Sequence, residues 1–74
     1  MFAIYVRNGL EQGRIFPLDR KKHNLIGRSP EAAVMLADDS VSRRHAEIFF
    51  VDKGWALKDL GSTNGTYLNA RPVR

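Results

Sequence analysis

The apolar residues of this chain lie in short stretches separated by turn-forming dipeptides, and no window sustains the 3.6-residue apolar period of a helix. β-branched and aromatic residues recur in these stretches, as is typical of strands. The pattern predicts an all-β sandwich or barrel. Seven strands are expected, near Phe2–Arg7, Arg14–Leu18, Asn24–Gly27, Val34–Leu36, Ala46–Val51, Trp55–Asp59 and Thr66–Leu68.

Turn-forming residues indicate how the strands connect. Asn8-Gly9 and Lys53-Gly54 separate apolar stretches, and in each case we expect glycine to supply the positive φ of a hairpin turn. A further turn is expected at Asn69–Pro72, after the last predicted strand. Strands joined by such short connections pair in antiparallel fashion.

The predicted strand Ala46–Val51 carries apolar residues on both faces. One face is expected to pack in the core, because alternate residues of a strand share a face. Phe49 and Val51 lie on the other face, next to Glu47. That face is therefore either covered as well or presents apolar surface to another molecule.

At 74 residues the chain has room for one domain, since single domains usually run to roughly 100–150 residues and smaller ones bury little surface. Cysteine is absent and only two histidines occur, so we expect no disulfide, no structural metal and no cofactor. Arg7 interrupts the N-terminal apolar residues too early for a signal peptide or a membrane span. These features predict a soluble protein of the cytoplasm.

Twelve Lys and Arg against eight Asp and Glu give a formal net charge of +4. Such an excess attracts phosphate, nucleic acid or an acidic surface, and charge alone does not distinguish these ligands. Basic residues at Arg20–Lys22 and Arg43-Arg44, with aromatic residues for stacking, leave nucleic-acid binding as an alternative. We rank it lower because the aromatic residues fall in strand patterns and no RNP-like motif occurs.

An arginine follows a glycine at the end of the third predicted strand. The planar guanidinium of Arg28 offers five donors and matches two phosphate oxygens better than a lysine does. By itself, an arginine at this position is also typical of a solvated loop. Arg28 therefore becomes a candidate for binding phosphate only if other donors accompany it.

The segment Ser42–His45 adds a hydroxyl, two guanidinium groups and an imidazole. The Ser42 hydroxyl is a suitable donor for a phosphate oxygen. No G-x-S-x-G elbow surrounds it, so we expect neither a catalytic Ser–His pair nor an enzyme. His45 is more simply explained as a buried ring that ties loops together by hydrogen bonds.

The segment Gly61–Thr66 consists of small, hydrogen-bonding residues that follow an apolar strand. Its Asn64-Gly65 dipeptide is a strong signal for a tight hairpin turn. Such a turn also presents the Thr63 hydroxyl and the Asn64 amide to a ligand. Because an amide both donates and accepts, it suits the main chain of an extended peptide.

The combination and order of three short segments resemble the signature of the forkhead-associated (FHA) family: Gly27-Arg28, Ser42-x-x-His45 and Asn64-Gly65. The resemblance covers most of the chain and implies a two-sheet β-sandwich of the SMAD/FHA-like type. It also implies that loops at one end of the sandwich bind a phosphothreonine-containing protein or peptide. The implied binding residues are Arg28, Ser42, Arg43, Thr63 and Asn64, and the implied supporting residues are Gly27, His45 and Gly65.

The resemblance implies a role for each binding residue. Arg28 grips the phosphate, Ser42 donates its hydroxyl to it, and Arg43 lies near the phosphate or the peptide. Thr63 lines the phosphothreonine pocket, and Asn64 bonds the peptide main chain just after the phosphorylated residue. The implied function is a phosphothreonine-dependent interaction module in signalling that prefers phosphothreonine to phosphoserine.

The FHA pattern also implies further strands after the Asn69–Pro72 turn, whereas this sequence ends at Arg74. Residues 1–74 are therefore expected to form about two-thirds to three-quarters of an FHA domain, without its last strands. The first hairpin would then keep an open edge, which is a template for pairing. We expect either that a second copy or another chain covers it, as a homodimer or by strand exchange, or that the closing strands follow outside this sequence.

Overall fold

The computed structural model describes residues 2–73, and within them the chain forms eight β-strands and no helix. The described part of the chain accordingly holds no helix that could cross a membrane. The all-β prediction is confirmed, and each of the seven predicted strands is present. The strands are β1 (Ala3–Tyr5), β2 (Ile15–Pro17), β3 (Asn24–Gly27), β4 (Val34–Met35), β5 (Ala46–Val51), β6 (Gly54–Asp59), β7 (Tyr67–Leu68) and β8 (Arg71–Pro72).

The strands form three hydrogen-bonded sheets. The four-stranded sheet has the order β4-β3-β5-β6, in which β3 pairs in parallel with β4 and antiparallel with β5. The other two sheets are the antiparallel ribbons β1-β2 and β7-β8. Phe2, just before β1, packs edge-on against Trp55 of β6 with ring centroids 5.3 Å apart. The first ribbon therefore lies against one face of the four-stranded sheet.

The core is small. Three apolar side chains are buried among the described residues, Phe16 of β2, Val34 of β4 and Ala46 of β5. Phe50 and Trp55, which are opposite each other on β5 and β6, extend this core with ring centroids 5.3 Å apart. A chain of this length buries a smaller fraction of its surface on folding than a larger domain does, which is consistent with so small a core.

One polar side chain is buried with this core and fixes the connection between β2 and β3. Asn24 is 3% exposed, and its side-chain oxygen accepts a hydrogen bond from the backbone N–H of Asp19. Its amide nitrogen donates to the carbonyls of Asp19, Lys22 and Ile48 at 3.0–3.2 Å. Because every polar atom of this amide has a partner, its burial costs little.

The hairpin between β5 and β6 is present where it was predicted, but neither residue of its turn is a glycine. Val51 pairs with Gly54, so the turn consists of Asp52 and Lys53, whose φ angles are +50° and +66°. Positive φ at both central positions is the type I′ geometry, which matches the twist of the flanking strands. The prediction that glycine supplies the positive φ here was wrong.

A second two-residue turn separates β7 from β8. Asn69 and Ala70 have φ angles of +51° and +67°, and the expected turn over Asn69–Pro72 is therefore confined to its first half. Arg71-Pro72 forms the eighth strand, which the sequence did not predict. In a sequence, proline argues against a strand because it has no N–H to donate to a neighbouring strand. In an edge strand of a two-stranded ribbon, however, an N–H that faces outward is not needed for pairing.

The connection between β1 and β2 is wider than a tight Asn8-Gly9 turn. The Val6 N–H donates to the Arg14 carbonyl at 2.9 Å, and the connection spans residues 7–13. Gly9 and Gly13 both have positive φ, +95° and +91°. The predicted hairpin is confirmed, and a second glycine inside the connection lengthens its loop.

The outer face of β5 is partly covered by a histidine. The His23 ring stacks on Phe49 with centroids 4.2 Å apart and an interplanar angle of 2°, and its Nδ1 lies 3.0 Å from Glu47 Oε1. Val51, further along the same face, remains 46% exposed. Of the two alternatives for this face, Phe49 is covered within the chain and Val51 presents apolar surface.

Candidate functional site

Three connections meet at one end of the four-stranded sheet. β3 ends at this end, and β5 begins there because it runs antiparallel to β3 with Ile26 opposite Ala46. β6 in turn ends there, with Asp59 opposite Ala46. The loops that follow β3, precede β5 and follow β6 therefore come together, and they carry the residues that the sequence marked as binding residues.

Arg28 begins the loop after β3 and is attached to the loop before β5 by two bonds. Its backbone N–H donates to the Ser42 carbonyl at 3.1 Å, and its side-chain Nε donates to the Val41 carbonyl at 2.9 Å. The side chain is half-buried. Its two terminal amino groups make no hydrogen bond to other residues of the described chain, so the fork of the guanidinium is available to an anion.

Ser42 joins the loop before β5 to the loop after β6. Its hydroxyl oxygen accepts a hydrogen bond from the backbone N–H of Thr63 at 3.0 Å. That bond occupies a lone pair and leaves the hydroxyl hydrogen free to donate. Ser42 is therefore oriented by Thr63 while it keeps a donor for a ligand, and the exposed Thr63 lies directly beside it.

Asn64 is fixed through only one of its four hydrogen-bonding positions. Its amide nitrogen donates to the Ser40 carbonyl at 2.7 Å, and the side chain is exposed. The amide oxygen and the second amide hydrogen remain for a ligand. Asn64-Gly65 is not the tight hairpin turn that the sequence indicated, because β6 and β7 belong to different sheets and only Gly65 has positive φ, +84°.

The His45 ring connects the same loops through hydrogen bonds at both of its nitrogens. The Ser42 N–H donates to His45 Nδ1 at 3.1 Å, and His45 Nε2 lies 2.8 Å from the Gly65 carbonyl. An amide N–H always donates and a carbonyl always accepts, so the ring must carry its proton on Nε2 and be neutral. This geometry agrees with the interpretation of His45 as a residue that joins loops and with the supporting position of Gly65.

The position of Gly27 has no space for a side chain. A Cβ at this position would lie 2.0 Å from the Arg43 carbonyl oxygen and 3.1 Å from that of Ser42. The Arg43 carbonyl also accepts the Ser29 N–H at 3.2 Å. The Arg43 side chain itself is exposed, as is that of Arg44, and neither forms an ion pair among residues 2–73. The structure thus places the backbone of Arg43 in the candidate site, whereas its side chain has no hydrogen bond or ion pair to the other candidate binding residues among residues 2–73.

Asp59 at the end of β6 organises the loop that carries Thr63 and Asn64. Its carboxylate accepts hydrogen bonds from the hydroxyls of Ser62 and Thr66, at 2.5 and 2.6 Å. It also accepts the backbone N–H groups of Gly61 and Ser62, at 3.0 and 3.1 Å. These bonds, with the Ser62 hydroxyl first, lower the pKa of Asp59 from 3.8 to about 2.

This carboxylate predicts how the stability of the fold responds to acid. The folded protein holds Asp59 ionised more strongly than the unfolded chain does, so its stabilising contribution is complete above pH 3.8 and is lost as the pH falls through about 2. We expect Asp59→Asn to be less stable at neutral pH and to show a flatter dependence between these values. Urea unfolding from pH 5 to about 2 measures this. Asp39→Asn, at an exposed position, is the matched control, and equal slopes for both variants would contradict the assignment.

The sequence did not identify Asp59, Asp38 or Ser40 as parts of the site. Ser40 holds Asn64, and Asp38 holds Ser40 by accepting its N–H at 2.9 Å and its hydroxyl at 2.7 Å. The sequence did contain a signal for Asp38 and Ser40. An aspartate two residues before a serine favours a turn in which its side chain accepts the backbone N–H of that serine. No group of three or more His, Cys, Asp or Glu side chains suited to a metal ion occurs in the part of the chain that the structure describes.

Comparison with known proteins assigns the chain to a family. The model of the family described as FHA domain matches residues 24–74, which include all three loops of the site. The chain belongs to the FHA domain family. The match begins at the first residue of β3, so the β1-β2 ribbon precedes the matched region.

Relatives and solved structures agree with this assignment. An oxoglutarate dehydrogenase inhibitor of Corynebacterium diphtheriae is 44% identical over 69 residues, which are 93% of this chain and 48% of the relative. An FHA domain structure from work on phosphothreonine-dependent FHA domain interactions has a TM-score of 0.82 at 41% identity, over 95% of this chain and 70% of that one. The FhaA FHA domain complexed with the intracellular domain of Rv3910 has a TM-score of 0.76 at 45% identity, over 84% and 67%. The chain spans about half the length of the curated relative.

Proposed function

We propose that this FHA domain is a non-catalytic binding module, active in the cytoplasm, that recognises a phosphothreonine in a partner protein. The observation that carries the proposal is a set of hydrogen-bond donors at one end of the four-stranded sheet. Their side chains are oriented by other hydrogen bonds, while the donors themselves have no acceptor among the described residues. They are the terminal amino groups of Arg28 and the hydroxyl hydrogen of Ser42. A phosphorylated side chain brings nearly two negative charges and three acceptor oxygens, which such donors satisfy.

Asn64 supplies the second half of the recognition. Its amide offers one acceptor and one donor beside the phosphate donors, which suits the N–H and C=O of one residue of an extended peptide. The loop that carries Ser42 and the loop that carries Thr63 and Asn64 are joined by a hydrogen bond. The site can therefore bind the phosphate and the peptide main chain at the same time. Two similar domains support the proposal, one studied for phosphothreonine-dependent interactions and one bound to an intracellular protein domain.

The decisive experiment has two steps. A degenerate phosphothreonine peptide library is screened for the best-binding sequence. Calorimetry then measures the affinity for that sequence with phosphothreonine, with phosphoserine and without phosphate. We expect about micromolar affinity for the phosphothreonine form, near −8 kcal/mol. We expect weaker binding of the phosphoserine form and none of the unphosphorylated form. Equal affinity for all three forms would contradict the proposal.

Nucleic-acid binding stays the weaker alternative because the basic residues do not form one surface. Arg20–Lys22 lie in the connection that enters β3, whereas Arg28 and Arg43 lie at the other end of that strand. Arg20 also covers the Phe50 ring, with its guanidinium carbon 4.3 Å from the centroid. Duplex DNA at equal phosphate concentration should therefore not displace the phosphothreonine peptide, and full displacement would favour the alternative.

Affinity for the phosphopeptide should depend on pH. The second ionisation of a phosphothreonine lies near pH 6, and the dianion is the better acceptor. From that value the dianionic fraction falls roughly fourfold between about pH 7.5 and 5.5, and we expect the association constant to fall by a similar factor. Calorimetry at both pH values measures this, with circular dichroism to show that the protein stays folded. A flat titration would mean that the site reads the monoanion equally well.

We also propose that a second copy of this chain covers the open strand edges, those of the β1-β2 hairpin and that of β6. Within residues 2–73, β6 is the last strand of the four-stranded sheet and has β5 as its one neighbour. Phe2, which packs on Trp55 of this strand, is 48% exposed. A paired strand would offer hydrogen-bond partners to the unpaired backbone groups of this edge. Light scattering on this chain at low micromolar concentration should show a dimer, and a stable monomer would overturn the proposal.

A further inference from the structure

A small cavity lies next to the proposed phosphothreonine site. It has a volume of about 210 Å³ and lies between the β1-β2 connection and the loop before β5. Val6, Leu36 and Val41 give it apolar walls, and Glu11, Asp38 and Ser40 lie among its polar lining residues. A cavity of this size takes one amino-acid side chain rather than a separate small molecule.

The cavity shares two of its residues with the binding site. The Val41 carbonyl accepts the hydrogen bond from Arg28 Nε, and the Ser40 carbonyl accepts that from the Asn64 amide. A peptide that contacts both Arg28 and Asn64 therefore lies close to the cavity. Since an extended chain advances about 3.3 Å per residue, a side chain within about three residues of the phosphothreonine can enter it.

The cavity carries a negative charge. Glu11 is neutralised by Arg14, whose Nη1 lies 2.6 Å from Glu11 Oε1. Asp38 is not neutralised: Oδ1 accepts both bonds from Ser40, whereas Oδ2 accepts none from the described residues. The backbone N–H and hydroxyl of Ser40 hold the pKa of Asp38 below its usual value, so the carboxylate stays ionised.

We propose that this cavity binds a lysine or arginine side chain of the phosphorylated partner, near its phosphothreonine. The aliphatic stem lies along Val6, Leu36 and Val41, and the cationic head meets Asp38 Oδ2, as long basic side chains bury their stems and keep their heads polar. The exposed Arg43 and Arg44 repel basic residues elsewhere in the peptide, so Asp38 makes the preference specific to one position. The inference rests on the proposed function and specifies the partner sequence.

The test is a set of phosphothreonine peptides in which each flanking position carries Lys, Leu or Glu in turn. We expect one position at which the wild-type protein binds Lys about three- to fivefold more tightly than Leu, as one partly exposed ion pair contributes, and Glu most weakly. Asp38→Asn keeps an oxygen that accepts from Ser40 but removes the charge. It should bring the Lys and Leu affinities together, and this ratio is the readout whatever the variant does to the affinity of the Leu peptide itself. Asp39→Asn, the same change one residue away, should keep the Lys preference.

The possible results separate this inference from the function on which it rests. If phosphothreonine peptides bind but no position prefers Lys in the wild-type protein, the inference is overturned and the proposed function stands. A Lys preference that persists in Asp38→Asn overturns it as well. If no phosphothreonine peptide binds at all, both fail. The order Lys, Leu, Glu in the wild-type protein supports it even where a variant folds poorly.

Discussion

Replacing Arg28 with alanine should weaken phosphothreonine-peptide binding by at least tenfold, or about 1.4 kcal/mol. The substitution removes the fork of donors for the phosphate, and hydrogen bonds to charged groups contribute roughly 1.5–3 kcal/mol each. It also removes the bond from Nε to the Val41 carbonyl, so a small loss of stability is expected. Arg28→Lys should lose much of the affinity too, because a point charge cannot bind two oxygens in one plane.

The matched control for this change is Arg44→Ala. It removes the same charge from an exposed position near the site, where the side chain makes no ion pair among the described residues. Calorimetry on the three variants separates a specific contact from general attraction. If Arg44→Ala weakens binding as much as Arg28→Ala does, long-range charge explains the affinity and Arg28 is not the phosphate ligand.

Gly27→Ala should damage both the fold and the site, although it adds a single methyl group. That group would lie 2.0 Å from the Arg43 carbonyl oxygen and 2.8 Å from its carbon, and backbone atoms cannot rotate away as a side chain can. The end of β3 must therefore separate from segment 42–43, which strains the bond from Arg28 N–H to the Ser42 carbonyl. Overpacking of this kind costs roughly 1–3 kcal/mol of folding free energy. We expect at least a tenfold loss of affinity as well.

Gly54→Ala is the control that isolates the clash. Gly54 begins β6, its φ is not positive, and nothing lies within 4 Å of an added Cβ. This variant should keep full affinity and unfold at the same urea concentration as the wild-type protein, or slightly above it. If Gly27→Ala behaves like Gly54→Ala, the close approach of β3 to the Arg43 carbonyl does not exist in solution.

The sequence predicted the strands well because their signal is local. Alternation and turn residues lie within a few positions of each other, as around Trp55–Asp59, and the structure confirms seven strands from them. The eighth strand, Arg71-Pro72, was missed because its partner Tyr67-Leu68 is short and proline argues against a strand. The turn at Asp52-Lys53 was misplaced by one residue because the register of the hairpin, and not the glycine, decides where it turns.

The candidate site could be anticipated only in part. Arg28, Ser42 and Asn64 each carry a donor that suits a ligand, but they stood out because their combination and order resemble the FHA signature. Their hydrogen bonds to Val41, Thr63 and Ser40 join residues far apart in sequence, and backbone atoms leave no trace in a sequence pattern. Asp59 was missed for a different reason: it accepts four hydrogen bonds from Gly61, Ser62 and Thr66 in the loop after β6, and no motif marks such a carboxylate.

The smallness of the core makes thermal denaturation a sensitive readout of ligands. With three buried apolar side chains among the described residues, the free energy that a bound peptide adds is a large share of the total. A ligand at about 100 times its dissociation constant adds about 2.7 kcal/mol, and each kcal/mol moves the midpoint of a domain this small by about 4–8 °C. Melting curves alone would then rank candidate peptides, because a binder would shift the transition by roughly 10–20 °C.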